Sequence, residues 1–167
     1  MQTARLGLPR ALAAIAPGAL LALAAGCLDP ESDLLDGDPG SPADVDGVWM
    51  YSVDVENAIA SCAADGITLA FDQEDLEFSG SASGSELVCQ LGDESSTDSI
   101  GIRPILNGNV RGRVVGFAIG DDNWIHVGEV SEDGDSIIGQ AEIVRDFPNI
   151  SRQTMQGPFE AHRQTAP

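Results

Sequence analysis

Three cysteines carry the most versatile side-chain chemistry in this sequence, and they occupy different surroundings. Cys27 directly follows an apolar stretch, in the order Leu23-Ala24-Ala25-Gly26-Cys27, whereas Cys62 and Cys89 lie in the body of the chain. A thiol can be acylated or alkylated, can ligate a metal or can form a disulfide, and its surroundings decide among these outcomes. The segments that position each cysteine must therefore be identified first.

Residues 1–26 differ in composition from the rest of the chain. Arg5 and Arg10 are their only charged residues, and an apolar run extends from Ala11 to Ala25. A basic start, an apolar stretch of roughly 7–15 residues and an end of small residues are typical of a secretory signal peptide, whereas a membrane-spanning helix needs about 20 apolar residues. We therefore predict that residues 1–26 direct export and are then removed.

The end of this segment, Leu23 to Cys27, resembles the lipobox of bacterial lipoproteins, in which an aliphatic residue and two small residues precede an obligatory cysteine. The resemblance implies that the Cys27 thiol takes a diacylglycerol and becomes the first mature residue, so that acyl chains hold the protein on its membrane. Because Leu28 and not Asp follows, the family's sorting rules favour the outer membrane, on its periplasmic face or at the cell surface. The alternative is an ordinary signal peptide with a coincidental cysteine.

The charge of the mature chain limits its partners. Removing residues 1–26 would take away two of the eight basic residues and none of the 27 acidic ones, which leaves a formal charge of −21. Such a charge repels nucleic acids and anionic lipid headgroups, so we expect no nucleic-acid partner. Residues 27–46 are rich in Asp, Pro, Gly and Ser, which predicts a disordered tether. Residues 47–163 form one small domain by length, with 164–167 as a tail.

Short runs of alternating and β-branched residues recur through residues 47–163 and predict an all-β fold. In the clearest run, Trp49, Tyr51 and Val53 share one face. The nine predicted strands are 48–56, 67–72, 76–82, 86–91, 100–106, 110–119, 124–130, 136–145 and 154–163. Predicted turns lie at 73–75, 83–85, 107–109, 121–123 and 132–135. About eight hairpin-linked strands can close without exposed edges, so we predict a small up-and-down antiparallel barrel; an open two-sheet sandwich is the alternative.

The predicted domain begins Gly47-Val48-Trp49 and ends with Arg163. These ends resemble a lipocalin-like, or calycin, domain, in which a Gly-x-Trp places an indole across the closed end of the barrel and an Arg of the last strand packs over it. The resemblance implies a Trp49–Arg163 pair; a plain core role for Trp49 is the alternative. It also implies a small apolar ligand inside the barrel. Candidate lining residues are Tyr51, Val53, Leu69, Phe71, Phe78, Phe117 and Ile125.

Cys62 and Cys89 remain as thiols once Cys27 carries lipid, and disulfides persist in compartments outside the cytoplasm. We predict that they pair. A simple meander opposes this pairing, because it places Cys89 beside the middle of the strand at 67–72 and Cys62 before that strand. Two free buried thiols are the alternative.

The sequence contains no convincing pattern for catalysis or metal binding. His126 and His162 stand alone, without a second His or a Cys at ligand spacing. Residues 80–84 do not form a nucleophile elbow, because Ala82 occupies the central position, and no acyl-transfer triad or phosphate loop is recognisable. We therefore predict no enzyme activity, no metal and no cofactor. Two roles remain: binding of a small apolar ligand, or a structural or interaction role with another envelope protein and no ligand cavity.

Overall fold

A computed structural model of the protein describes residues 41–84, 86–121, 123–147 and 150–165. The predicted signal peptide, Cys27 and most of the tether lie outside the described residues. Among these residues, no helix is long and apolar enough to cross a membrane. The described chain forms ten strands: β1 (Gly47–Glu56), β2 (Ala60–Glu74), β3 (Glu77–Ser83), β4 (Glu86–Leu91), β5 (Glu94–Ser99), β6 (Ile102–Arg111), β7 (Val114–Ile119), β8 (Trp124–Val130), β9 (Ser136–Phe147) and β10 (Ile150–Arg163).

Eight of the strands close into an antiparallel barrel. Their order round the wall is β1-β10-β9-β8-β7-β6-β3-β2, and β2 pairs with β1 to complete the circle. Apart from a hairpin inserted between β3 and β6, every strand lies beside its neighbours in the chain, as in a meander. The prediction of an all-β up-and-down barrel of about eight strands is confirmed. The alternative, an open two-sheet sandwich, was wrong, because the pairing of β1 with β2 leaves no free edge in this wall.

Alternation along the strands decides which side chains fill the barrel. In β1, Trp49, Tyr51, Val53 and Val55 are buried, and the residues between them face outward. A strand directs successive side chains to opposite faces, and an eight-stranded barrel is just wide enough for the inward set to fill it. The interior is therefore built from one residue in two along the wall.

The inserted hairpin consists of β4 and β5. The second half of β2 pairs with β3, whereas its first residues, Ala60 to Ala63, pair with β4. β4 thus continues along β2 beyond the end of β3, and β5 pairs only with β4 among the described strands. The predicted turn at 83–85 is consequently not a hairpin: β3 and β4 follow one another along the same edge of β2.

Four other predictions of local structure were wrong. The run predicted as one strand at 110–119 is divided by a turn at 112–113 between β6 and β7. β2 begins at Ala60 and not at 67, because the small residues before Ile67 carry little hydrophobic pattern. β5 was missed because all six of its residues are exposed and none is strongly apolar. Residues 107–109 lie inside β6 at a register shift, where Asn107 has a φ of 54°. An Asn-Gly pair suits a bulge as well as a hairpin turn, since both can require positive φ.

Candidate functional site

Aromatic rings fill the middle of the barrel. The centroids of the Phe71, Phe78 and Phe117 rings lie 4.8–6.0 Å apart. Phe117 also stacks on the His126 ring, with 4.4 Å between centroids and an interplanar angle of 6°. Phe159 meets the Phe117 ring edge-on at 6.0 Å. These contacts are those of a packed core, in which offset and edge-to-face rings stabilise one another.

Six of the seven residues predicted to line a ligand cavity face this interior and are at most 5% exposed. They are Tyr51, Val53, Leu69, Phe71, Phe78 and Phe117. The prediction for Ile125 was wrong, because its side chain lies on the outer face and is 41% exposed. In β8 the buried positions include Trp124 and His126, so the apolar Ile125 and Val127 point outward while the polar histidine points inward.

One polar pair lies within this apolar interior. The Tyr51 hydroxyl oxygen is 2.7 Å from His126 Nε2, and His126 is 1% exposed. Burial lowers the pKa of His126 to about 3 and raises the pKa of Tyr51 well above its usual value, so both groups are neutral at pH 7. Within the described residues, His126 Nδ1 and the Trp124 indole nitrogen have no hydrogen-bond partner at ordinary distance and angle, although the indole lies close enough to the Tyr51 hydroxyl to lower its pKa slightly against the larger effect of burial. Because the pair is shielded from solvent, its geometry favours a role in the core.

At one end of the barrel, Arg163 packs over Trp49. The guanidinium carbon lies 4.5 Å from the centroid of the indole, a geometry worth about 0.5–2 kcal/mol. The Trp49 indole donates a hydrogen bond to the Val45 carbonyl at 2.9 Å. Arg163 also donates to the carbonyl oxygens of Asp44 and Asp46. The predicted tether at 27–46 is thus too long at its end: Val45 is fully buried, and residues 43–46 are bound to the barrel.

At the other end, a disulfide joins the β4–β5 hairpin to β2. Cys62 and Cys89 lie directly opposite each other in the β2–β4 ladder and form the bond, which confirms the predicted pairing. The topological objection disappears because β2 begins before Cys62. On its far side, the hairpin is attached to β9 by an ion pair between Asp98 and Arg145, with a nitrogen–oxygen distance of 2.5 Å. The hairpin is thus held at two places.

A groove of about 790 Å³ lies on the outer wall and crosses β9, β10, β1, β2 and β4. Its apolar surface includes Val88 and Ile138, which are 38% and 61% exposed, beside Ala63 and Pro158. Four carboxylates accompany these apolar side chains, and no Arg or Lys occurs among the described residues that line the groove. The carboxylates belong to Asp54, Asp65, Glu86 and Glu160.

A β-bulge in β2 lies at the groove. Tyr51 pairs with Ile67 but Val53 pairs with Ala64, so two residues of β2 oppose Ser52. One of the two is Gly66, with a φ of +72°. Since a bulge bends its strand and increases the local twist, it changes the direction of β2 where that strand passes from β3 to β4. The sequence does not reveal the groove, because the residues that line it come from five strands that are far apart along the chain.

Within the described part of the chain, no three His, Cys, Asp or Glu side chains are grouped so that they could hold a metal. Comparison with known proteins finds no matching family model, no similar curated protein and no similar solved structure. The functional interpretation therefore depends on the geometry of this chain: a closed eight-stranded barrel, consistent with a calycin-like domain, that has a packed interior and an open groove on its wall.

Proposed function

We propose that the protein is an exported lipoprotein, anchored through acyl chains on Cys27, whose barrel acts as a binding module of the cell envelope. The binding surface in this proposal is the outer groove. The observation that carries it is the contrast between an interior occupied by aromatic rings and an accessible groove with apolar side chains. The groove groups exposed apolar side chains, among them Val88 and Ile138, and a partner that covers them removes apolar surface from water.

Two features support the location and the anchor. The Cys62–Cys89 disulfide favours an oxidising compartment, because disulfides persist outside the cytoplasm and are rare within it. The lipobox-like sequence that ends at Cys27 supports lipidation, and Leu28 after it supports the outer membrane. Direct binding to nucleic acid is not part of the proposal, since the acidic chain would repel the phosphates.

The interaction role has better support than a small apolar ligand inside the barrel. Such a ligand would have to displace rings that already contact one another, including Phe117 and His126. Core side chains are packed as closely as molecules in organic crystals, so opening that space would cost stability. The groove can take a partner without this cost. Enzyme activity is not proposed, because the Tyr51–His126 pair has no access to solvent.

Replacing Cys27 with Ser is expected to abolish acylation and to release the protein from the membrane fraction. The reason is that stable anchoring requires acyl chains and the proposed acceptor is this thiol. Metabolic labelling with a radioactive fatty acid, followed by membrane fractionation, measures both effects. Cys62→Ser/Cys89→Ser, which removes the two disulfide-bonded cysteines of the barrel instead, should remain labelled and membrane-bound. Fatty-acid label on the Cys27→Ser protein would rule out this anchor.

Placing a charge on the groove is expected to remove its affinity for an apolar probe. Ile138→Asp should abolish most of the fluorescence gain of the uncharged dye Nile red, because a carboxylate would replace an apolar contact in the groove. The matched control is Ile102→Asp, since Ile102 is 83% exposed and lies on β6, outside the groove. Circular dichroism would verify that both variants fold. Equal dye binding by the two variants would contradict the assignment of the groove as the binding surface.

A further inference from the structure

We infer that the groove takes a basic, partly apolar polypeptide segment of another protein, an inference that rests on the proposed binding role. Its apolar side chains match an apolar partner, but its charges are all of one sign. Every charged residue among the described residues that line it is acidic. A partner with Lys or Arg beside its apolar residues would satisfy both features, because complementary charges steer association and favour the correct partner.

The separation of the acidic residues favours a chain over a small cation. Glu160 lies on β10 and Glu86 on β4, and β1 and β2 lie between those strands. With about 4.8 Å between neighbouring strands, three spacings amount to about 14 Å. A single ammonium group cannot contact carboxylates at both positions, whereas a segment with several basic residues can.

Three other occupants have the wrong charge. The chain's own residues 28–40 contain five acidic residues and no basic one, so the groove would repel them. A second copy of the protein would present the same acidic surface. Anionic lipid headgroups carry the same sign as well. A basic segment of a different protein is the occupant that these charges favour.

The binding test uses three fluorescein-labelled peptides of equal length with the full-length protein in detergent. One alternates Leu and Lys, the second Leu and Ser, and the third Leu and Glu. Fluorescence anisotropy is expected to give the highest affinity for the Leu/Lys peptide, with an affinity that falls as salt is added, because salt screens exposed charges. No measurable preference for this peptide over the Leu/Ser peptide would overturn the inference.

Neutralising groove carboxylates distinguishes the groove from the general negative charge of the protein. The variant Asp54→Asn/Glu86→Gln/Glu160→Gln is expected to bind the Leu/Lys peptide about tenfold more weakly, as expected for the loss of three exposed ion pairs. The matched control, Asp72→Asn/Glu74→Gln/Glu77→Gln, removes the same charge from exposed positions outside the groove. It should bind almost as tightly as the unmodified protein.

The two levels of the proposal fail in different ways. If Ile138→Asp abolishes Nile red binding but both charge variants weaken peptide binding equally, the groove remains a binding surface and the basic-segment inference is overturned. If Ile138→Asp leaves Nile red binding unchanged, the proposed function fails and the inference fails with it. Loss of Nile red binding in Ile138→Asp together with loss of peptide binding in the groove charge variant, with neither loss in the two controls, supports both.

Discussion

Lowering the pH from 6.5 to 4 is expected to reduce the free energy of unfolding by about 3 kcal/mol through His126 alone. In the folded protein, burial lowers the pKa of this residue to about 3, whereas its ordinary value is 6.5. Between these two values the unfolded chain binds a proton that the folded protein does not. The contribution of His126 is therefore fully present above pH 6.5 and is lost progressively as the pH falls toward 3.

Urea unfolding at a series of pH values measures this dependence. The double variant Tyr51→Phe/His126→Phe removes both members of the hydrogen-bonded pair and leaves no orphaned partner, so its stability should lack the histidine-dependent decline. Both proteins contain the same 27 acidic residues, so the difference between the two curves isolates the histidine. A constant difference between pH 6.5 and 4 would show that folding does not lower the pKa of His126.

Alternation predicted the barrel because it is a local property of each strand. Trp49, Tyr51 and Val53 were assigned correctly to one face, and their pattern follows directly from the two-residue period of a strand. β8 shows the limit of the same rule. Ile125 and His126 are neighbours, and hydrophobicity alone predicts that the isoleucine faces the interior. In the structure the histidine faces the interior, because a hydrogen bond with the Tyr51 hydroxyl compensates for the loss of water around the imidazole. That compensation comes from a strand 75 residues away.

The groove could not be predicted for a related reason. Ile138, Val88 and Ala63 belong to three strands, and only the closed topology and the inserted hairpin bring them to one surface. Each alone is an ordinary outward residue on a strand. The bulge opposite Ser52 could not be predicted either, because it depends on the register between β1 and β2, which the sequence of β2 alone does not determine.

Removing the disulfide with Cys62→Ala/Cys89→Ala is expected to lower the free energy of unfolding by about 3–4 kcal/mol. The bond closes a loop with a sequence separation of 27, and the chain-entropy relation gives this magnitude for a loop of that size. Urea unfolding of the oxidised protein and of the variant measures the effect, and the unmodified protein under dithiothreitol should unfold like the variant.

The same bond also holds one wall of the groove, which connects stability with binding. Val88 and Glu86 lie on β4. Among the described strands, β4 pairs with β2, where the disulfide lies, and with the exposed strand β5. The Asp98–Arg145 ion pair holds the hairpin on its other side, but the Asp98 side chain is 52% exposed, and pairs open to solvent contribute about 0–1 kcal/mol. Reduction should therefore weaken Nile red binding before the barrel unfolds. Simultaneous loss of dye binding and barrel structure along the same urea curve would show instead that the hairpin and the barrel unfold as one unit.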